Sequence, residues 1–193
     1  MTLALPDGLR LRRAHPADLD DVMWLERVSF PTDAWSSSQM SDELHSPHGY
    51  YVVIETIGDD SAPTVVGYAG LSSLPGNPVA DVQTIAVAAD QRGRGLGRLL
   101  FTELLDEAGR RGVHEVFLEV RADNPVAQTM YAGFGFTHIA TRPRYYQPDG
   151  VDAWVMRAAL EPAAPAAPAA PAVPTGPASG PGPIGQEALD ERD

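Results

Sequence analysis

Two residues in the middle of the chain have the types and spacing for proton transfer. Glu119 stands in the run Val116-Phe117-Leu118-Glu119-Val120-Arg121. In an extended strand Val116, Leu118 and Val120 share one face, and Phe117, Glu119 and Arg121 the other. A carboxylate in so apolar a run is a general base, taking a proton directly or through water, or half of a Glu–Arg pair, or a surface residue on a half-solvated sheet. Further on, Tyr131 lies in a helical pattern with Ala127, Met130 and Phe134. It is either part of that pattern's buried stripe or a phenol placed to protonate a leaving group.

The segment Arg92-Gly93-Arg94-Gly95-Leu96-Gly97-Arg98 offers a different chemistry. It follows an apolar run ending Ile85-Ala86-Val87 and leads straight into a helical pattern. Glycine lets a backbone turn tightly and come close to a ligand. The unpaired amides of a helix's first turn, at the positive end of its dipole, attract anions. Arg92, Arg94 and Arg98 add positive charge at the same place. The pattern suits a pyrophosphate; its plain alternative is a glycine-bearing loop ahead of an arginine-rich, solvated helix start. The spacing Gly-x-Gly-x-Gly is not the Gly-x-Gly-x-x-Gly of dinucleotide-binding turns, and the chain has no lysine, which a P-loop requires. Both facts speak against a nucleotide-binding protein of another fold.

The elements that must hold these residues alternate along residues 1–160. Residues 9–13 read as a short strand. Pro16 opens a helix at the position where proline fits best, with Asp18, Asp20 and Asp21 in its first turn and Leu19, Val22 and Met23 at helical spacing. A short helix is expected over 37–45. Three strands follow, 50–57, 65–71 and 79–87, with turns at Gly58-Asp59-Asp60 and Pro75-Gly76-Asn77-Pro78. The strongest helix covers 96–111, with Leu96, Leu99, Leu100, Leu104 and Ala108 as its apolar stripe, and Gly112 stops it. A strand over 115–121 comes next, then a helix begun by Asn124-Pro125 and ended by Gly135. Closing strands near 136–145 and 151–158, around Pro148-Asp149-Gly150, complete a mixed α/β layout with one central sheet. Beyond Leu160 come Ala-Pro repeats, then glycine, proline and serine, then acidic residues; 161–193 is expected to be a disordered tail.

Composition narrows the function classes. A net charge of −12 repels phosphate backbones and favours a basic partner, so nucleic acid is not expected to bind. The chain has no cysteine, which excludes disulfides, thiolate metal sites and a cysteine nucleophile. His15, His45, His48, His114 and His138 are scattered and complete no ligand set, so no metal is expected. No signal-peptide pattern opens the chain, and no apolar run approaches the roughly 20 residues of a membrane span. The expectation is a soluble cytoplasmic protein without a membrane partner.

These motifs carry a resemblance. Arg92-x-x-Gly95-x-Gly97 behind Ile85-Ala86-Val87 looks like the coenzyme A motif of the GCN5-related N-acetyltransferase (GNAT) family. The string Leu118-Glu119-Val120-Arg121-x-x-Asn124-x-x-Ala127-x-x-x-Tyr131-x-x-x-Gly135-Phe136 is similar to its ribosomal-protein-alanine N-acetyltransferase (RimI-like) branch. The resemblance covers roughly residues 1–160. It implies a mixed, mostly antiparallel, splayed sheet flanked by helices, with acetyl-CoA as the acetyl donor. It implies that Ile85, Ala86 and Val87 pair with the pantetheine arm. The pyrophosphate is then expected on Arg92, Gly93, Arg94, Gly95, Leu96, Gly97 and Arg98. Asn124 is expected to contact the donor as well as cap its helix. By matching position Glu119 is the general base and Tyr131 the general acid, beside the donor.

The implied acceptor is the N-terminal alanine of a small-subunit ribosomal protein, attacked directly. Arg142-x-x-Tyr145-Tyr146 resembles the branch's ending, and Phe30-Pro31 with Trp35-Ser36 its Phe-Pro-Trp-Ser segment near the substrate groove. Phe30, Trp35, Tyr145 and Tyr146 are therefore candidate acceptor-binding residues. Thr32, Asp33 and Ala34 interrupt that segment, which departs from the branch pattern. The alternatives are an acetyltransferase of the same fold acting on lysine side chains or small amines, and a non-catalytic acyl-CoA-binding or partner-binding module. The resemblance also leaves room for a complex with a tRNA-modification enzyme.

Overall fold

The computed structural model describes residues 5–58 and 62–160. The expected tail and the turn residues Asp59 and Asp60 lie outside them. Along the chain come β1 (Leu9–Arg13), α1 (Leu19–Ser29), α2 (Ser37–His45), β2 (Gly49–Thr56), β3 (Val65–Ser72) and β4 (Val79–Val87). Then follow α3 (Leu96–Arg110), β5 (Glu115–Arg121), α4 (Pro125–Ala132), β6 (Thr137–Tyr146) and β7 (Val151–Ala159). The strands form one sheet in the order β1-β2-β3-β4-β5-β7-β6. Every pairing is antiparallel except β4 with β5, the two strands joined by the α3 crossover.

Local chemistry explains most of the helix boundaries. Ser36 accepts a hydrogen bond from the Gln39 amide while the Gln39 side chain returns to the Ser36 amide, a capping box that starts α2. Asn124 caps α4 through its Oδ1, which accepts from the Ala127 amide at 3.0 Å. The first helix starts later than Pro16. Pro16–Asp18 is a 3-10 turn, and α1 proper begins at Leu19. The cause is Asp18, whose carboxylate accepts from the His15 amide at 2.6 Å and takes two bonds from Arg12, at 2.7 and 2.8 Å. Arg12 also reaches the buried Glu55 at 2.7 Å. These bonds hold both carboxyls below their usual range, so the stability they confer is present at neutral pH and is lost as pH falls through the folded-state values.

The two faces of the sheet carry separate cores. Leu96, Leu100, Phe101, Leu104 and Ala108 of α3 pack with Val82, Val116, Leu118, Tyr131 and Phe136. On the other face Val22, Met23 and Leu25 of α1 and Met40 of α2 pack with Tyr51, Val53, Tyr68 and Ala86. The strand β4 serves both because it is bulged. Leu71 opposes Val82 and Gly70 opposes Thr84, so Gln83 is an extra residue on β4. An extra residue flips the faces: Ala80 and Val82 join the α3 side and Ala86 the α1 side.

Opposite the bulge, Gly70 leaves room for the Tyr51 ring. A Cβ on Gly70 would lie 2.2 Å from Tyr51 Cε1. Gly70→Ala is expected to cost about 1–3 kcal/mol, as overpacking does. Thermal denaturation should show this as a lowered Tm.

Candidate active site

The bulge also marks where β4 and β5 part. Their paired positions run only from Val79↔Glu115 to Val82↔Leu118. Beyond them a cleft of about 900 Å³ opens, walled by β4 residues Val82, Gln83, Thr84, Ile85, Ala86 and Val87 and by β5 residues Leu118, Glu119, Val120 and Arg121. The Ala88 amide donates to Val66 O on β3. Strand alternation therefore turns the Ile85 and Val87 backbone groups away from β3, toward the gap. A strand edge without a partner is a ready template for an extended ligand arm.

The glycine-rich loop closes one part of this cleft. Gly93 and Gly95 sit at φ +76° and +82°, the left-handed region that side chains disfavour. Gly95 is the N-cap of α3 and carries no side chain to cap it. The first-turn amides thus lack the side-chain partner that Ser36 and Asn124 give α2 and α4. Arg92, Gly93, Gly95, Leu96, Gly97, Arg98 and Asn124 all line the cleft. Arg92 Nε donates to Val87 O at 3.0 Å, tying the loop to the end of β4. Arg94 lies outside the lining; its guanidinium bonds to Gln91. The site fits an anion carried on an extended arm: positive dipole end, two arginines and open backbone.

A second group in the cleft is rich in titratable side chains. Glu119 lines it and pairs with Arg142, with Oε1 3.3 Å from Nη2. Glu119 is thus both a carboxylate of the cleft wall and the partner of an arginine. As the alternation requires, Val116, Leu118 and Val120 are buried and Glu119 is not. Tyr131 also lines the cleft, packed against Phe101 with ring centroids 4.9 Å apart. Burial, with a smaller contribution from Tyr146, holds its pKa well above the ordinary phenol value, so it carries its proton. Phe30, Trp35 and Tyr146 line the same cleft, whereas Tyr145 is exposed, outside the lining, and meets Tyr146 edge-on at 5.2 Å.

Sequence reasoning did not single out Glu26, Ser29, Asp33 or Arg121 as site residues, and all four line the cleft. Glu26 is buried at 1% exposure. It accepts from the Trp35 amide at 2.9 Å and from the Tyr68 hydroxyl, and burial raises its pKa. The signal was present: Glu26 follows Val22 and Met23 at helical spacing, on α1's buried stripe. Asp33 and Arg121 also line the cleft and face each other, 3.6 Å apart. Ser29 Oγ, on the cleft wall too, is buried and has no hydrogen-bond partner among the described residues. Among those residues no cluster of three or more histidines or carboxylates is placed to hold a metal, and no helix is long and apolar enough to cross a membrane.

Residues 19–136 match the model of the acetyltransferase (GNAT) family. The chain belongs to that family. It is 46% identical over 127 residues to the N-alpha-acetyltransferase RimI of Mycobacterium tuberculosis, covering 65% of this chain and 75% of that protein. It is 43% identical over 145 residues to Mycobacterium leprae protein ML0378, a match that takes in 74% of this chain but only 38% of that longer protein. Among solved structures, the ribosomal-protein-S18-alanine N-acetyltransferase of Escherichia coli superposes with a TM-score of 0.70 at 26% identity, over 81% of this chain and 97% of that one. The fold is that of the family, the relatives place the chain in its RimI-like branch, and its enzyme class is acetyl-CoA-dependent N-acetyl transfer.

Proposed function

We propose that this GNAT enzyme moves an acetyl group from acetyl-CoA to the α-amine of the N-terminal alanine of a small-subunit ribosomal protein. One observation carries the reading: the gap between β4 and β5 joins an anion-receiving loop to a carboxylate and a protonated phenol in a single cleft. The branch membership and the name of the Escherichia coli structure support the acceptor class.

Arg92, Arg98 and the first-turn amides of α3 hold the donor's pyrophosphate, and the open edge at Ile85 and Val87 pairs with its pantetheine arm. Asn124, already used as the cap of α4, contributes to the wall beside it. Phe30, Trp35 and Tyr146 receive the acceptor. Glu119 takes the proton that the ammonium must lose before its nitrogen can attack. The C–N bond forms and the C–S bond breaks, and Tyr131 gives its proton to the departing thiolate. Amides facing the gap at Ile85 and Val87 donate to the carbonyl oxygen as negative charge builds there. Without a cysteine to carry the acyl group, direct attack is the route this chain provides.

An α-amine, with a reference pKa of about 7.7–8.0, deprotonates far more readily than a lysine at about 10.4, so one carboxylate relay suffices. The test is a pair of peptides: a basic sequence starting with alanine, and the same sequence N-blocked with its lysines free. Mass spectrometry should find acetyl on the first and none on the second. Acetylation of the blocked peptide alone would move the acceptor to lysine side chains.

A further inference from the structure

We propose that Arg121 is a positioning residue for the acceptor, strapping residues 32–34 to the turn between β6 and β7 across the rim of the cleft. The inference rests on the acceptor reading given above for Phe30, Trp35 and Tyr146.

Arg121 ends β5 and lines the cleft. Its planar guanidinium offers donors in several directions at once, and here they reach three segments. Nε and Nη2 donate to Asp123, on the loop just after β5, at 3.0 and 3.1 Å. Nη2 also donates to Asp149, in the β6–β7 turn, at 3.1 Å. Nη1 lies 3.6 Å from Asp33, in the connection between α1 and α2. Thr32 joins the last two segments without using the arginine, its hydroxyl donating to Asp149 at 3.3 Å. The guanidinium carbon sits 5.2 Å from the centroid of the Tyr146 ring, itself a wall of the cleft.

The strapped residues are the ones that interrupt the Phe-Pro and Trp-Ser halves of the substrate-side segment. A longer connection there is slack unless something holds it. It is held from two sides: inside by Glu26, which accepts from the Trp35 amide at 2.9 Å, and at the rim by Arg121. A single exposed ion pair adds little. A planar group shared by carboxylates from separate segments fixes those segments relative to one another, and with them the aromatic walls at Trp35 and Tyr146.

Asp149→Asn, Arg121→Met, Arg121→Lys and Asp123→Asn in the full chain test this by two readouts: hydrogen exchange of residues 31–35 and steady-state kinetics on the alanine-starting peptide. Asp149→Asn and Arg121→Met should speed exchange in 31–35 and raise KM for the peptide roughly tenfold, as loss of positioning does. KM for acetyl-CoA and kcat should stay within about twofold. Arg121→Lys should recover part of the lost KM. Asp123→Asn should change neither readout, because Asp123 joins Arg121 to no other element. Should Arg121→Met fail to fold, Asp149→Asn, which removes one oxygen at the turn, carries the test. Wild-type exchange and KM in Asp149→Asn would overturn the proposal, as would an equal effect from Asp123→Asn. If the wild-type enzyme acetylates no N-terminal peptide, the acceptor reading falls while the exchange result still decides the strap.

Discussion

Glu119→Gln lowers kcat on an alanine-starting peptide by about 10²–10⁴-fold, the range that general base catalysis supplies, and leaves KM for acetyl-CoA unchanged. Glutamine keeps the size and can still hydrogen-bond, but it cannot accept a proton at neutral pH. The loss should shrink as pH rises past the amine's own pKa of about 7.7–8.0, because the acceptor then arrives already neutral. Arg142 supplies the control. It pairs with Glu119 at 3.3 Å and is itself exposed, so Arg142→Met removes the ion pair and keeps the carboxylate. A catalytic Glu119 predicts a small effect there, on the scale of an exposed pair. Equal, modest losses in Glu119→Gln and Arg142→Met would reduce Glu119 to a partner of Arg142 and end its assignment as the base.

The readings that succeeded came from short-range chemistry. The capping residue Asn124 and the alternation of 115–121 act within a few residues, so the sequence displays them directly. The bounds expected for the second helix, for β4 and for β5 are those observed. The α3 stripe was legible at Leu96, Leu100, Leu104 and Ala108, but Phe101, fully buried, lies beside that spacing and meets Tyr131, Phe134 and Phe136. What needed the structure was pairing over long separations. The Gln83 bulge depends on how β4 meets β3, and it is this bulge, with the end of the β4–β5 ladder, that locates the cleft.

The candidate site divides in the same way. The glycine spacing marked the loop, yet Arg94 bonds to Gln91 outside the cleft while Arg92 and Arg98 line it; side-chain direction within such a loop has no signature in spacing. Tyr145 and Tyr146 are adjacent and chemically alike, and strand alternation sends only the second into the cleft. Glu26 depends on Tyr68, and Arg121 on Asp149, residues distant in sequence. Thr32, Asp33 and Ala34 looked like a disturbance of the substrate-side segment. Two of them engage the Asp149–Arg121 pair, Thr32 by a hydrogen bond to Asp149 and Asp33 by a 3.6 Å ion pair with Arg121, which makes that disturbance a structural device of this chain.

Tyr131→Phe is the second large loss expected, about 10²-fold in kcat, at the lower end of what a positioned acid supplies. The end of the range follows from the leaving group: a thiol with a pKa of about 8.5 departs tolerably well as the thiolate without a proton. Phenylalanine preserves the packing against Phe101 and Phe136, so thermal stability at pH 7 should hold. The pH profile separates chemistry from packing. Burial raises the Tyr131 pKa above its ordinary value near 10, so the acid form persists and the wild-type kcat should show no alkaline fall from this group up to pH 10. The same shift makes stability depend on pH with a definite sign. A raised folded-state pKa contributes stability that is present below the unfolded value and lost as pH climbs past it. Between pH 9 and 11 wild type should therefore lose more stability than Tyr131→Phe. A phenol acting only as core would give that stability difference with kcat intact, whereas the acid requires both. Combining Tyr131→Phe with Glu119→Gln should cost less than the product of the single losses, because the two groups serve one transfer.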